Sequence, residues 1–425
     1  MNPLIKTMPN VKKFNDYMFD IKTGKSPIML SGLTDLGKVH MAYSTRFYSE
    51  KPICIITYNE LQAKKLMKDL KFFGEKIDFF PKREIITFDY IAESKDSLFD
   101  RISVLNNIVK NQSKIVVTTI EAVMQKMITK NNLYKFVMQL KNGDTISLND
   151  LKENLVHLGY ERYDLIDGKG QFSVRGGIVD IATSGTSGVR IEFWGDEIDS
   201  IRKFSIMSQR TTEMLEKVEI FPAYEFLLET DLNTICEKIA NKTYPKSVQE
   251  KLQDDIEQIK NGDYINKIDK YFDSFYEETS TLLDYLSDDF VIFLDEIEKI
   301  KNRAEGIAKD NENLIQDLID KNKLVPTGFI HKEDYLAFLD KIKATQTIYL
   351  EKQDIGFVDK QSMHAKRNGY SFSYREVNFF RSSMDLLFQK LQKGINTSKQ
   401  TVILRRKRRQ LQKNSWNSIR KRNSQ

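Results

Sequence analysis

The chain of 425 residues is 40% hydrophobic and 30% charged, a composition typical of a globular protein with room for two to four domains. Its net charge is +6, but residues 405–425 alone hold nine Lys or Arg and no Asp or Glu. Removing these nine charges leaves −3 for residues 1–404, so the composition of that part gives no general argument for nucleic-acid binding.

Residues of the kinds that form disulfides and metal sites are sparse. The two cysteines, Cys54 and Cys236, are far apart, which argues against a disulfide scaffold and a zinc site and favours a reducing, cytoplasmic setting. The four histidines have no metal-ligand spacing, and the first residues lack the apolar core of a secretory signal. No apolar run approaches the ~20 residues of a membrane span, so no membrane partner is expected.

Residues 26–150 alternate apolar runs with stretches of helical spacing. The apolar runs predict strands over residues 27–30, 53–57, 77–80 and 115–119. The helical stretches cover residues 61–73, 100–109 and 121–128. Such alternation indicates a parallel sheet covered by helices on both faces.

The segment between the first predicted strand and the next helix is similar to a phosphate-binding loop. Gly32, Gly37 and Lys38 match that pattern, in which backbone N–H groups at a helix start hold phosphates and the lysine meets the outer ones. Val39 stands where a Ser or Thr hydroxyl would bind magnesium, and Asp35 adds a negative charge near the phosphates. The loop is degenerate, which leaves two interpretations: weak binding of ATP with magnesium, or a tight turn without a ligand.

A second part of a nucleotide site follows a later strand. Residues 290–294 form an apolar run, and Asp295 and Glu296 come directly after it. In motor ATPases an Asp at such a place helps to hold magnesium and a Glu orients the attacking water. One hypothesis is therefore a nucleotide hydrolase that uses Lys38, Asp295 and Glu296, and the other is a strand end without catalytic function.

Residues 170–222 form the most informative part of the sequence. Short strands of alternating polarity are separated by glycine-containing turns, which predicts an antiparallel sheet of hairpins. Because successive strand residues face opposite sides, Arg190 and Trp194 lie together on the outer face, and Arg175 can lie on that side too. The inward set is apolar: Val189, Ile191 and Phe193. Arg and Trp are frequent binding hot spots, so this face is a candidate docking site, with an ordinary sheet surface as the alternative.

The same residues carry a family resemblance. Between residues 172 and 211 the motifs FSVRGGIVDI, VRIEFWGDEIDSIRKF and SQRT occur in this order. They resemble the small inserted domain shared by the nucleotide-excision repair protein UvrB and the bacterial transcription-repair coupling factor (Mfd), and DEIDSIR favours the coupling factor. The resemblance covers roughly residues 1–404, the amino-terminal part of that family. It implies that the small domain binds UvrA through Arg175, Arg190 and Trp194.

The resemblance also implies an α/β architecture. A parallel-sheet domain resembling a helicase motor lobe contains the inserted small antiparallel (α+β) domain, and a partial further α/β domain follows. The predicted boundaries are 1–150 and 246–340 for the two parts of the motor-lobe-like domain, 151–245 for the insertion, 341–404 for the further domain and 405–425 for a basic, disordered tail. A strand is expected over residues 401–404.

In the family, RNA polymerase and DNA bind to domains beyond the length of this chain, where an ATP-driven translocase also resides. The first domain carries a degenerate nucleotide loop, so no catalytic residue and no cofactor are predicted here, with ATP and magnesium as the alternative.

The nearest rival is UvrB, which needs an intact loop and a long aromatic hairpin that grips DNA. Residues 79–101 leave no room for that hairpin. The sequence therefore predicts a module that recruits UvrA in transcription-coupled repair; the alternative is a UvrB-like protein that binds nucleotide or DNA.

Residues 405–425, RRKRRQLQKNSWNSIRKRNSQ, depart from the mixed-charge helix that the family implies at this point. One hypothesis is a shifted reading frame or a truncated gene, which translation of the downstream DNA in the other frames would test. The alternative is a basic arm that binds nucleic acid without sequence preference.

Overall fold

The computed structural model describes residues 2–83, 95–225, 227–228, 231–244, 246–261, 267, 270–321, 323, 334–353, 368–375, 385, 388–389 and 391–392. The chain divides into two units, Met8–Arg375 and the combination of Met1–Thr7 with Glu376–Gln425. In the smaller unit the backbone N–H of Leu4 donates to Oδ1 of Asn2 at 2.9 Å. The strands and helices that follow all lie in the larger unit.

The strands, in chain order, are β1 (Ile28–Ser31), β2 (Ile53–Thr57), β3 (Asp78–Phe80), β4 (Ile115–Thr119), β5 (Met138–Lys141), β6 (Glu161–Arg162), β7 (Gln171–Arg175), β8 (Ile178–Ile181), β9 (Ser187–Trp194), β10 (Glu197–Ser205), β11 (Thr211–Leu215), β12 (Lys217–Ile220), β13 (Val291–Asp295), β14 (Gln346–Leu350) and β15 (Asn368–Ser371).

The helices are α1 (Lys12–Lys22), α2 (Asp35–Ser49), α3 (Glu60–Leu70), α4 (Lys95–Val109), α5 (Ile120–Val123), α6 (Lys130–Lys135), α7 (Leu148–His157), α8 (Leu232–Ala240), α9 (Gln249–Lys260), α10 (Phe272–Phe275), α11 (Leu282–Tyr285), α12 (Ile297–Asp320) and α13 (Tyr335–Lys343). None of the helices in the described ranges is both long and apolar enough to cross a membrane.

Seven parallel strands form the main sheet, in the order β15-β1-β14-β13-β2-β4-β3. Every residue of β2, β4 and β13 is buried, as expected where helices cover both faces of a parallel sheet. The predicted α/β class is confirmed, and the four early strands lie within a residue or two of their predicted bounds. Strand β14 pairs with β1 on one side and with β13 on the other. Strand β15 pairs with the opposite side of β1.

The strands that the structure describes within residues 341–404, β14 and β15, therefore belong to the same sheet as β1. The strand expected over residues 401–404 lies outside the described residues, as do residues 84–94 of the segment compared with the UvrB hairpin. The domain boundaries remain predictions.

The predicted helix over residues 121–128 is wrong beyond its first turn, because α5 ends at Val123. Met127 instead forms an antiparallel bridge with Ser280, and each backbone N–H donates to the other's carbonyl, at 2.8 and 2.9 Å. These bonds require an extended backbone, which local helical spacing does not reveal.

The small sheet has six strands in the order β11-β10-β9-β8-β7-β6, antiparallel except for the pair β6–β7. Its strands occur between β4 and β13 of the main sheet, which confirms that the antiparallel part is inserted into the α/β part. Strands β5 and β12 form a separate antiparallel pair. The inner face of the small sheet packs on α7, and this core includes Leu151, Leu155, Phe172, Val179, Val189, Ile191 and Ile201.

A buried ion pair joins the end of the insertion to the main sheet. Arg101 of α4 donates from Nε to Oε1 of Glu225 at 2.9 Å and from Nη2 to Oε2 at 3.3 Å. Its guanidinium also lies 4.2 Å from the ring centre of Phe80 and donates to the carbonyl of Pro81 at 2.7 Å. These contacts fix the segment after β12 against β3 and α4.

Candidate protein-binding face of the small sheet

The strand register places the three predicted contact residues on one side of the small sheet. Arg190 of β9 lies opposite Asp180 of β8, and Asp180 lies opposite Ser173 of β7. Residues directly opposite each other, and alternate residues along a strand, share a face. Arg175, two positions after Ser173, and Trp194, four positions after Arg190, therefore lie on the same outer face.

Trp194 ends β9 and is 84% exposed. It lies opposite Glu197, across a two-residue hairpin turn that begins with Gly195. Gly195 has a φ of +63°, the left-handed conformation that such a turn requires. The turn thus holds a large apolar side chain at the end of β9, where most of its surface is free to contact a partner.

Asp180 is the residue that organises the arginines. Its side chain is 1% exposed and accepts from Arg190 twice, Nε to Oδ1 at 2.6 Å and Nη2 to Oδ2 at 2.9 Å. Arg190 is 19% exposed, and its guanidinium lies 4.7 Å from the ring centre of the buried Phe204. The hydrogen bonds from Arg190 to Asp180 raise the pKa of the guanidinium above its usual value.

Arg175 contacts the same carboxylate more weakly. It donates once, from Nη2 to Oδ2 of Asp180 at 3.0 Å, and its side chain is 52% exposed. The shared contact confirms that both arginines face one side of the sheet. We call the set Arg175, Asp180, Arg190, Glu192 and Trp194 the outer face.

Asp180 was not predicted as part of this site. The available signal was a single acidic residue in an otherwise apolar strand, Ile178–Ile181. Glu192, between Arg190 and Trp194, accepts from Oγ of Ser200 at 3.0 Å and forms an ion pair with Arg202. The outer face therefore carries both signs of charge around the exposed indole.

The structure also brings Lys38 of the degenerate nucleotide loop together with the two carboxylates at the end of β13, Asp295 and Glu296. Lys38 has no exposed area, and its Nζ donates to Oδ1 of Asp295 at 2.6 Å and to Oε1 of Glu296. Oδ2 of Asp295 accepts from Oγ1 of Thr57 at 2.8 Å and from Nε2 of Gln62 at 3.1 Å. The lysine that would meet phosphates and the carboxylate that would hold magnesium are thus bonded to other side chains.

The start of α2 is likewise occupied by protein groups. Oγ1 of Thr34 accepts from the backbone N–H of Gly37 at 3.1 Å. Asp35 forms ion pairs with Lys65 and, at 2.9 Å, with Lys352. Burial alone would raise the pKa of Asp35, but the hydrogen bonds from the two lysines lower it to about 2, so the loop keeps its negative charge.

The glycines of the loop admit the segment after β15. The backbone N–H of Tyr374 donates to the carbonyl of Gly32 at 3.1 Å, and its hydroxyl lies 2.8 Å from Nδ1 of His40. A Cβ on Gly37 would lie 2.8 Å from the Tyr374 ring, and one on Gly32 would lie 1.9 Å from the carbonyl oxygen of Phe372. As arranged, these residues do not fit a nucleotide with magnesium. No cluster of three or more His, Cys, Asp or Glu suited to a metal occurs among the described residues.

Comparison with known families defines the class of this site. Residues 138–226 match the UvrB interaction domain. The matched range covers the β5–β12 pair, α7 and the whole six-stranded sheet with its outer face. The resemblance that the sequence motifs predicted is thereby confirmed for this domain.

The relatives extend the similarity to most of the chain. It is 27% identical over 431 residues to the transcription-repair-coupling factor of Bacillus subtilis (strain 168), with 96% of this chain and 36% of the relative covered. It is 27% identical over 403 residues to that of Staphylococcus aureus (strain bovine RF122 / ET3-1), covering 90% and 33%, and 26% identical over 422 residues to that of Staphylococcus haemolyticus (strain JCSC1435), covering 95% and 35%. The chain spans about a third of the length of these relatives.

Proposed function

We propose that this chain recruits UvrA in transcription-coupled nucleotide-excision repair, and that UvrA docks on the outer face of the small sheet. The observation that carries the proposal is Trp194, an indole that is 84% exposed at the end of β9. It lies within the residues that match the UvrB interaction domain. Beside it, two arginines are held in place by one buried carboxylate. An apolar anchor next to oriented cations is the usual composition of a binding hot spot.

The nucleotide hydrolase hypothesis has less support. A phosphate at the loop would have to displace Asp295 and Glu296 from Lys38, and a magnesium ion would have to displace Thr57 and Gln62 from Asp295. The outer face needs no such rearrangement around its indole.

A titration of UvrA with the purified chain tests the proposal. We expect Trp194→Ala to weaken binding by about 2 kcal/mol, roughly 30-fold, because a hot-spot indole loses its buried contact area. The free energy of unfolding should be unchanged, because the Trp194 side chain is exposed in the free protein. Val156→Ala is the matched control, because Val156 is 59% exposed on α7, which packs on the inner face. Absence of binding by the unmodified chain, or equal affinities for the two variants, would overturn the proposal.

A further inference from the structure

The hairpin of β9 and β10, which carries Trp194, is held at its tip by a segment from outside the small sheet. This segment, residues 142–146, joins β5 to α7, and we call it the connector. We propose that the connector is the positioning element for Trp194: it fixes the tip of the hairpin, so that the indole is already in place when UvrA docks. The inference rests on the proposed function and adds to it a part of the chain that precedes the small sheet.

The hairpin by itself gives its tip little support. The pairing of β9 with β10 shifts register between Ile198 and Ser200, and such a bulge disrupts the ladder between the tip and the rest of the hairpin. On the other side of β10, the pairing with β11 begins only at Ile201. Among the described strands of the small sheet, only β9 therefore pairs with Glu197 and Ile198. A short two-stranded end of this kind is marginally stable in water.

The connector takes the place of the missing neighbour. Three backbone hydrogen bonds join it to the tip: the N–H of Ile198 to the carbonyl of Asp144 at 2.9 Å, the N–H of Gly143 to the carbonyl of Ile198 at 2.8 Å, and the N–H of Ile146 to the carbonyl of Asp196 at 2.9 Å. Thr145 also forms an antiparallel bridge with Glu197. Because Asp196 belongs to the turn that follows Trp194, these contacts place the turn as well as the start of β10.

The connector is itself fixed at both ends. At its start, Oδ2 of Asp144 accepts from the backbone N–H of Lys141 at 2.8 Å, and the backbone N–H of Asn142 donates to the carbonyl of Glu216 at 3.0 Å. At its end, Ile146 packs against the core between the small sheet and α7. The exposed indole is thus tied to the core through the backbone. A binding group that is ordered before docking removes the free-energy cost of ordering it in the complex.

Gly143 is the position at which the connector can be loosened against a matched control. Its φ is +83° and a Cβ there would meet no atom within 4 Å, so Gly143→Ala adds backbone strain without a clash. Gly74, between α3 and β3, has a φ of +84° and equally open surroundings. Both alanine variants are expected to lower the melting temperature by about 2 °C. Gly143→Asn should lower it less, because Asn adopts this conformation more readily.

The first experiment compares UvrA affinities of the full chain. Gly143→Ala is expected to weaken binding about 5-fold and Gly74→Ala to leave it unchanged, because only the loosened tip must be ordered on docking. Gly143→Asn should recover most of the loss. If the connector acts through the indole, Gly143→Ala should weaken binding no further in a Trp194→Ala background.

Two results would refute the positioning role. One is that Gly143→Ala binds like Gly74→Ala, and the other is that its effect adds in full to that of Trp194→Ala. Neither result bears on the proposed function, which stands if Trp194→Ala alone binds weakly and fails if it binds like the unmodified chain.

The second experiment, amide hydrogen exchange, needs no partner. The amide of Ile198, which donates to the connector, should exchange about 10-fold faster in Gly143→Ala than in Gly74→Ala, because local opening of the tip exposes it. The amide of Ile191, in the middle of β9, should exchange at equal rates in the two variants. Equal rates for Ile198 as well would contradict the inference, whether or not UvrA binds.

Discussion

At the scale of single residues, Lys38 shows how the degenerate loop contributes to stability. Its side chain is fully buried between Asp295 and Glu296, whose side chains are 0% and 12% exposed. Removing one partner of a buried ion pair costs more than the pair contributes, because the remaining charges lose their compensation without regaining water. The lysine is therefore expected to hold α2, β13 and the start of α12 together.

We predict that Lys38→Met destabilises the protein by about 3 kcal/mol or more, seen as a lower urea midpoint in circular dichroism. Lys64→Met is the control: Lys64 is 65% exposed and pairs with Glu60 at 3.1 Å one helical turn away, so its loss should cost about 0.5 kcal/mol or less. Equal midpoints for the two variants would show that the buried network contributes nothing to stability.

The sequence predicted which residues of the outer face point outward, because strand alternation depends only on neighbours along the chain. It did not reveal Asp180 as their common partner. That contact depends on which residues of β7, β8 and β9 lie opposite each other. The lengths of the connecting turns in the sequence do not by themselves identify those residue pairs. The unequal exposure of Arg175 and Arg190 is likewise a property of the folded sheet.

At the scale of elements, the end of β14 carries a buried acid. Glu351 is 1% exposed, and its Oε1 accepts from the backbone N–H of Ile297 at 3.0 Å. Burial raises its pKa to about 7, although the Ile297 hydrogen bond opposes the rise, and the nearby charge of Glu296 adds to it. Between the ordinary pKa of a glutamate and pH 7 the folded state therefore binds more protons at this position than the unfolded state does.

This difference in proton binding predicts that the contribution of Glu351 to the free energy of unfolding falls as the pH rises from about 4.5 to 7. Above that range the contribution should change no further. Glu351→Gln should remove this contribution while keeping an acceptor for Ile297. The free energy of unfolding of the variant, relative to the natural protein, should rise by ~1–3 kcal/mol across that interval in chemical denaturation at several pH values. Parallel pH profiles for the two proteins would contradict the prediction.

Five of the seven main-sheet strands, β1 to β4 and β13, were predictable from their apolar runs, but the order of the strands was not. Strand β14 lies between β1 and β13, although more than three hundred residues separate β1 from β14 in the chain. Sequence patterns indicate strands one at a time, whereas the position of each in a parallel sheet depends on the paths of the crossovers. The bridge of Met127 with Ser280 escaped prediction for the same reason.

At the scale of the whole molecule, positive charge is concentrated in residues 405–425, which lie outside the described residues. Deleting them changes the formal net charge from +6 to −3. We predict that the deletion abolishes salt-sensitive binding to a single-stranded oligonucleotide, because that binding depends on counterion release by Lys and Arg. Affinity for UvrA should stay the same. A deletion variant that binds the oligonucleotide as before would place the nucleic-acid contacts elsewhere.

The exposed indole of the small sheet is expected to become buried against UvrA, and fluorine NMR measures this burial directly. The chain has two tryptophans, Trp194 and Trp416, so labelling with 5-fluorotryptophan gives two signals, which a Trp416→Phe variant assigns. On addition of UvrA, the Trp194 signal should shift and lose its sensitivity to exchange of H2O for D2O, while the chemical shift of the Trp416 signal should stay the same. A complex that forms with the Trp194 signal unshifted and still solvent-sensitive would contradict the account.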